Sequence, residues 1–469
     1  MSNLTFSSAT ELAAAIRGKK VSSLEVIDAH LSHIETTNPR LNAVVRVLAN
    51  SARSAAREAD AAVARGDAHG PFHGVPMSVK DAWEVAGVPS TGGTLGRANF
   101  IPKADATVIA RMRAAGAIPL CMTNLPEMSM AFESDNLVHG RTNNPYDIAR
   151  TPGGSGGGGG AAIAAGMSPI EIGADLGGSI RLPCHFSGIA GIRPTTGRVP
   201  LTGYFPPAVG WVSDLTAAGP MARTVDDLAA ALPVVSGPDW IDPGVHDVPA
   251  FDPRSVSLKG LRVAFHTNNG IMPARPDVAA VVVNAAKAME SVGAQVEEAM
   301  PAGIEHCLDI FLGLATADGG EAMRKLLAIA GTTQPHALLE AMLATSGEQK
   351  TAGFLHGVWA HLTMYRSSML KFLKNYDLIL CPVNALPAIE HGKSFQPDIV
   401  PAFSYTIAHN LTGWPGAVVR CGTSTEGLPI GVQAVARPWR EDVALAVAKH
   451  LETALGGYQR PPLAASSKH

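Results

Sequence analysis

Residues 150–200 read RTPGGSGGGGGAAIAAGMSPIEIGADLGGSIRLPCHFSGIAGIRPTTGRVP. Two serines, Ser155 and Ser179, each stand in a glycine-rich loop, separated by an Ala-rich helix and a short apolar strand. Glycines at this density admit backbone conformations closed to other residues and let main-chain N–H groups approach a bound atom. The second loop, Asp175-Leu176-Gly177-Gly178-Ser179, presents consecutive N–H donors around a serine hydroxyl, as an oxyanion hole requires. Two other templates match the first loop, the nucleophile elbow G-x-S-x-G at residues 153–157 and the dinucleotide fingerprint G-x-G-x-x-G at residues 154–159. Both need an apolar strand immediately before them, and the preceding NPYDIARTP is turn chemistry. A flexible glycine linker fits poorly as well, because a helix and a strand follow at once.

The chain resembles the amidase signature family on several motifs together. They are the glycine-serine loop at residues 153–157, the ADLGGSIRLP loop at 174–183, and Gly74-Val75-Pro76-Met77-Ser78-Val79-Lys80-Asp81 upstream. Further matches are Thr123-Asn124-Leu125-Pro126-Glu127, Asn144-Pro145-Tyr146-Asp147, residues 193–198 (RPTTGR) and residues 410–415 (NLTGWP), so the likeness runs from about residue 8 to about residue 455. The resemblance implies an α/β fold: a single large domain, residues 1–469, with a central twisted mixed β-sheet covered by helices on both faces. Within it, residues 1–70 form an N-terminal helical layer, 71–235 the signature core and 300–375 a variable helical cap over the substrate cavity. It also implies a triad of Lys80, Ser155 and Ser179, with a cis peptide before Ser155, and it places Ser129 at the substrate pocket. One departure concerns the first loop, where the family usually has two adjacent serines and this chain has Ser155 followed by Gly156.

Composition bounds the partners. Net charge is -3 with no basic block, which argues against nucleic acid. Glu11 and Arg17 interrupt the N-terminal stretch where a secretory apolar core would lie. The uncharged run 151–170 is too glycine-rich to span a bilayer. These readings give a cytoplasmic protein without membrane attachment; separately, a monomer or homodimer is expected. Cys121, Cys184, Cys307, Cys381 and Cys421 are dispersed without C-x-x-C spacing, so they read as reduced core residues. Cys184 is a poor thiol nucleophile for want of a His and Asn pattern, and His185 is a poor general base because it follows Ser179 too closely in the chain.

Residues 8–11 and 22–25 read as capping boxes opening amphipathic helices. A helix is expected over 51–65, a strand delivering Lys80 over 77–80, a helix over 107–115, a strand over 118–122 and a loop over 123–144. Residues 179–197 read as loop and helix, 226–235 as helix and 261–298 as a β-α-β extension of the sheet. Residues 306–374 are mostly helical, strands follow at 376–382, 416–421 and 430–435, and a helix at 441–454 closes the fold. Residues 464–469 are expected to be disordered.

The chemistry expected is hydrolysis of small linear aryl or alkyl amides through an acyl-enzyme on Ser179. Ser155 relays a proton to a neutral Lys80, and the N–H groups of Leu176, Gly177, Gly178 and Ser179 face the oxyanion. This scheme needs no metal, nucleotide or organic cofactor. The alternatives are a carbamate (urethane) or ester hydrolase using the same triad, and the amidase subunit of a glutamine-dependent amidotransferase. Gly156 and the sequence SIRLP after the nucleophile depart from that last branch.

Overall fold

The computed structural model of the chain describes residues 4–465. Both capping boxes form: Ser8 accepts from Glu11 N–H while Glu11 reaches back to Ser8 N–H, and Ser22 and Glu25 do the same. The helices they open, Ala9–Arg17 and Ser23–Leu41, precede a third at Ala49–Arg65.

Eleven strands build one sheet among the described residues. They are β1 Val44–Val47, β2 Pro76–Lys80, β3 Ile118–Thr123, β4 Ile170–Asp175, β5 Ala190–Arg193 and β6 Ala217–Ala222, then β7 Arg262–Phe265, β8 Gln295–Glu298, β9 Leu378–Pro382, β10 Gly416–Thr423 and β11 Pro429–Ala436. Their order is β1-β3-β2-β4-β6-β5-β10-β11-β9-β7-β8. The sheet is mixed, with β3, β2 and β4 parallel, β7 parallel to β8 and β9, and antiparallel pairing between.

Helices cover both faces, because successive strand residues point to opposite sides. On β9, Leu378 and Leu380 join the largest apolar core while Ile379 and Cys381 join another. On β2 and β4, Met77, Val79, Ile170, Ile172 and Ala174 enter that largest core. The alternation therefore sends Ser78, Lys80, Glu171 and Asp175 to the other face, where the two serine loops lie.

The expected β-α-β unit forms as the sheet's far edge, from β7 through the helix Pro276–Ser291 to β8. Two central strands differ from expectation. Residues 190–193 read as loop or helix and are β5, and AAGPMA at 217–222, which carries a glycine and a proline, is β6. Tertiary pairing overrides propensity there, since β6 lies between β4 and β5 and hydrogen-bonds to both. The helix Ser404–Thr412, closed by the left-handed Gly413, is a further element beyond those expected. Of the tail expected to be disordered, 466–469 lie outside the described residues, while 464 and 465 end a short helix, Pro462–Ala465.

Candidate active site

Lys80 ends β2 and is fully buried. Its Nζ lies 2.7 Å from Ser155 Oγ and 2.9 Å from the Tyr204 hydroxyl, so both of its hydrogen-bond partners are hydroxyls. Tyr204 in turn donates to Ser129 Oγ at 2.9 Å. The Tyr204 ring stands edge-on to Trp83 at 4.7 Å, and the indole of Trp83 donates to the Ile172 carbonyl of β4.

The Gly154–Ser155 peptide is cis, and the helix Gly157–Ala164 begins just beyond it. Four glycines open that helix, although glycine costs about 1 kcal/mol relative to alanine at a helical position. Close packing is the reason: a Cβ on Gly158 would lie 2.3 Å from the Asn124 backbone nitrogen. The bare helix thus presses against the loop that follows β3 and holds Ser155 over the end of β2.

The second loop is tied down by charge. Asp175, the last residue of β4, accepts from the N–H groups of Gly178 at 2.8 Å and Ile180 at 3.2 Å. It also pairs with Arg181 Nε at 3.0 Å and with the Asn410 amide at 2.9 Å. Burial opposes its charge, but Arg181, with Arg193 and Asn410, holds the carboxyl well below the usual carboxylate range. Gly178 therefore departs from the expected oxyanion set: its N–H is committed to Asp175, and its φ of 130° turns the chain against Thr406. The N–H groups of Leu176, Gly177 and Ser179 meet no protein acceptor among the described residues.

Ser179 is 8% exposed, against 1% for Ser155 and 0% for Lys80, so it is the least buried of the three. Gly156 N–H donates to the Ser179 carbonyl at 3.2 Å and joins the two loops. The structure brings Lys80 and Ser155 into hydrogen-bond contact, while Ser155 and Ser179 share no hydroxyl–hydroxyl hydrogen bond among the described residues. A serine hydroxyl reorients about χ1 at small cost, and such contacts are often long before substrate binds.

His185 is a core residue, accepting from Gly431 N–H on Nδ1 and meeting the Leu386 carbonyl with Nε2. Burial lowers its pKa to about 4. Cys184 is buried beside Asp175, and both burial and that charge push its thiol well above the ordinary value, the opposite of an activated nucleophile. All five cysteines are free and buried.

Three groups around the candidate site leave no local signal in the sequence. Tyr204 sits in a Gly/Pro-rich turn that gives no periodic signal. Glu171 is fully buried on the Lys80 face of β4, with Oε2 accepting from Thr123 and Oε1 meeting no hydrogen-bond partner among the described residues; burial raises its pKa to about 7, against the lowering pull of hydrogen bonds and of Lys80. The third is an aromatic wall. A Cβ on Gly177 would meet Phe132 at 3.6 Å and Phe311 at 3.7 Å, Phe132 stacks on Phe403, and Trp211 stands edge-on to Phe311.

A family model described as Amidase matches residues 25–445. Human fatty-acid amide hydrolase 2 is 31% identical over 97% of this chain and 90% of its own length. A glutamyl-tRNA(Gln) amidotransferase subunit from Roseiflexus castenholzii is 34% identical over 98% of this chain and 97% of its own length. The solved structure of a 6-aminohexanoate cyclic dimer hydrolase with its substrate superposes with a TM-score of 0.88 at 29% identity, covering 98% of this chain and 99% of that one. No helix among the described residues is long and apolar enough to cross a membrane.

Proposed function

The chain belongs to the amidase signature family of carbon–nitrogen hydrolases, and from that premise we propose that it cleaves small aryl or alkyl amides through an acyl-enzyme on Ser179. The observation that carries this reading is the buried Lys80–Ser155 contact of 2.7 Å beside a loop whose serine is the least buried of the three. Ser179 Oγ attacks the carbonyl carbon and passes its proton to Ser155, which gives its own to the Lys80 amine. The negative oxygen that forms faces the uncommitted N–H groups of Leu176, Gly177 and Ser179; loss of one such donor costs about a hundredfold or more in rate. When the C–N bond breaks, the proton returns through Ser155 to the amine, and water then attacks the acyl ester with the same relay as its base. Scission of the amide is the step that needs this returned proton most, because an amine is a poor leaving group.

The aryl part of the reading is supported by Phe132 and Phe311 beside Gly177. Phe311 comes from the helix Cys307–Thr316, in keeping with a role for residues 300–375 as the roof of the cavity. The relatives' names speak of fatty-acid amides, an aminoacyl-tRNA and a cyclic dimer, so the acyl and leaving groups taken by this chain are a matter for its own walls. Carbamates and esters present the same carbonyl to the same three side chains.

Purified protein is assayed on aryl amides, fatty amides, glutamine and aryl carbamates, and the protein is examined by mass spectrometry after exposure to a slow aryl ester. We expect aryl amide turnover, an acyl mass on the peptide carrying Ser179, and a loss of about 10⁴-fold or more in Ser179→Ala. Acylation of another residue overturns the assignment, and release of ammonia from glutamine alone moves the reading to the amidotransferase branch.

A further inference from the structure

Lys80 has to offer its nitrogen to Ser155 in one direction, yet a lysine amine on a four-carbon stem rotates freely unless something fixes it. The first serine loop supplies only one hydroxyl for this. Position 156 is glycine, and a Cβ there would lie 2.8 Å from the Ser179 carbonyl oxygen, closer than real Cβ contacts come. The second anchor arrives from elsewhere in the chain, as the Tyr204 hydroxyl at 2.9 Å from Nζ.

We propose that Tyr204 is a positioning residue for the amide-cleaving reaction, holding the Lys80 amine on Ser155 as the middle of a chain Ser129–Tyr204–Lys80–Ser155. The inference rests on the proposed role of Lys80 as base. Each link in the chain is itself held. The Tyr204 ring is braced by Trp83, which is fully buried, and the backbone on either side is pinned, with Glu84 N–H on the Gly203 carbonyl and Phe205 N–H on the Ala82 carbonyl. Ser129 accepts the Tyr204 proton, which fixes the hydroxyl rotor and leaves the phenol oxygen's lone pairs toward Lys80.

Ser129 is held by an unusual backbone. Met128 and Ser129 have φ of 55° and 59°, a left-handed conformation that non-glycine residues keep only where the surroundings enforce it. The enforcing group is the buried Glu127 carboxylate, which takes the Thr94 hydroxyl at 2.6 Å and the His336 N–H at 2.6 Å. The turn is thereby tied both to the loop after β2 and to the helical segment at 336. A strained turn presenting one hydroxyl to the partner of Lys80 has a use in the chain, and no other hydrogen bond of the Ser129 side chain among the described residues competes for it.

The test compares Tyr204→Phe and Ser129→Ala with wild type, using 4-nitroacetanilide, 4-nitrophenyl acetate and a fluorophosphonate that labels activated serines. Tyr204→Phe keeps the ring on Trp83, so its melting temperature is expected to stay within about two degrees. Its kcat on the anilide is expected to fall about 10- to 100-fold with KM within about twofold, and its loss on the activated ester to be smaller. Fluorophosphonate labelling of Ser179 is expected to slow by about tenfold. Ser129→Ala should shift the same quantities in the same direction by less. Unchanged kcat, or a change confined to KM, overturns the assignment. If Tyr204→Phe melts well below wild type, Ser129→Ala decides: an unchanged kcat there also overturns it. Failure of wild type itself to label on Ser179 defeats the acyl-enzyme reading, whereas equal labelling of wild type and Tyr204→Phe defeats only the role of Tyr204.

Discussion

The two sides of the site are held by opposite means. On the nucleophile side, the loop from Asp175 to Ser179 is clamped by the buried Asp175–Arg181 ion pair and the Asn410 amide that donates to Asp175. On the base side, the hydrogen bonds of the Lys80 amine among the described residues go to hydroxyls, those of Ser155 and Tyr204. The difference follows from what each side has to do. A loop that must present N–H groups in fixed directions gains from charge pairs that never change state. An amine that must take and return a proton would be locked as an ammonium by an adjacent carboxylate, because an opposite charge favours the charged form. Hydroxyls orient the amine without adding a hydrogen-bonded counter-charge.

The contrast breaks first at Asp175. Asp175→Asn leaves Arg181 buried without its counter-charge, a change that costs about 3 to 5 kcal/mol. We expect a clear fall in melting temperature together with loss of activity, measured by thermal denaturation and turnover, whereas Tyr204→Phe lowers turnover alone. A variant at 175 as stable as wild type would remove the distinction between the two sides.

Glu171 sharpens the comparison through pH. Its carboxyl rises from an ordinary 4.5 to about 7 in the folded protein. The unfolded chain therefore gives up this proton first as pH rises. The group's contribution to stability is full below about 4.5 and is lost progressively until about pH 7, a total of about 3 kcal/mol at about 1.4 kcal/mol per pH unit. Glu171→Gln keeps an acceptor for Thr123 and does not titrate. It should melt above wild type at pH 8 and close to it at pH 4; parallel melting curves across that range would show that Glu171 is not held protonated.

The smallest effect belongs to the wall. Phe311→Leu removes an aromatic face beside Gly177, and loss of about 1 kcal/mol of ring contact corresponds to about a fivefold rise in KM for an aryl amide. A short alkyl amide should be nearly unaffected, and equal changes on both would place Phe311 outside the acyl and leaving-group contacts.

Much of the molecule is legible along the chain because its signals are local. The capping boxes at Ser8 and Ser22 and the alternation of Ser78 and Lys80 against Met77 and Val79 can be read from a few adjacent residues. So can the two glycine-serine loops, since only glycine permits the close packing of the Gly157–Ala164 helix and the positive φ at Gly178. The resemblance of the motifs to the amidase signature family also brings Lys80, Ser155 and Ser179 forward as candidates. What only the tertiary structure decided depends on partners far away in sequence. β6 is a strand because β4 and β5 pair with it, whatever Gly219 and Pro220 prefer. Gly178 N–H belongs to Asp175, Glu171 is raised by complete burial, and Tyr204 reaches Lys80 across 124 residues. Propensity and spacing act between near neighbours, whereas desolvation and hydrogen-bond assignment are set by whatever the fold packs against a group.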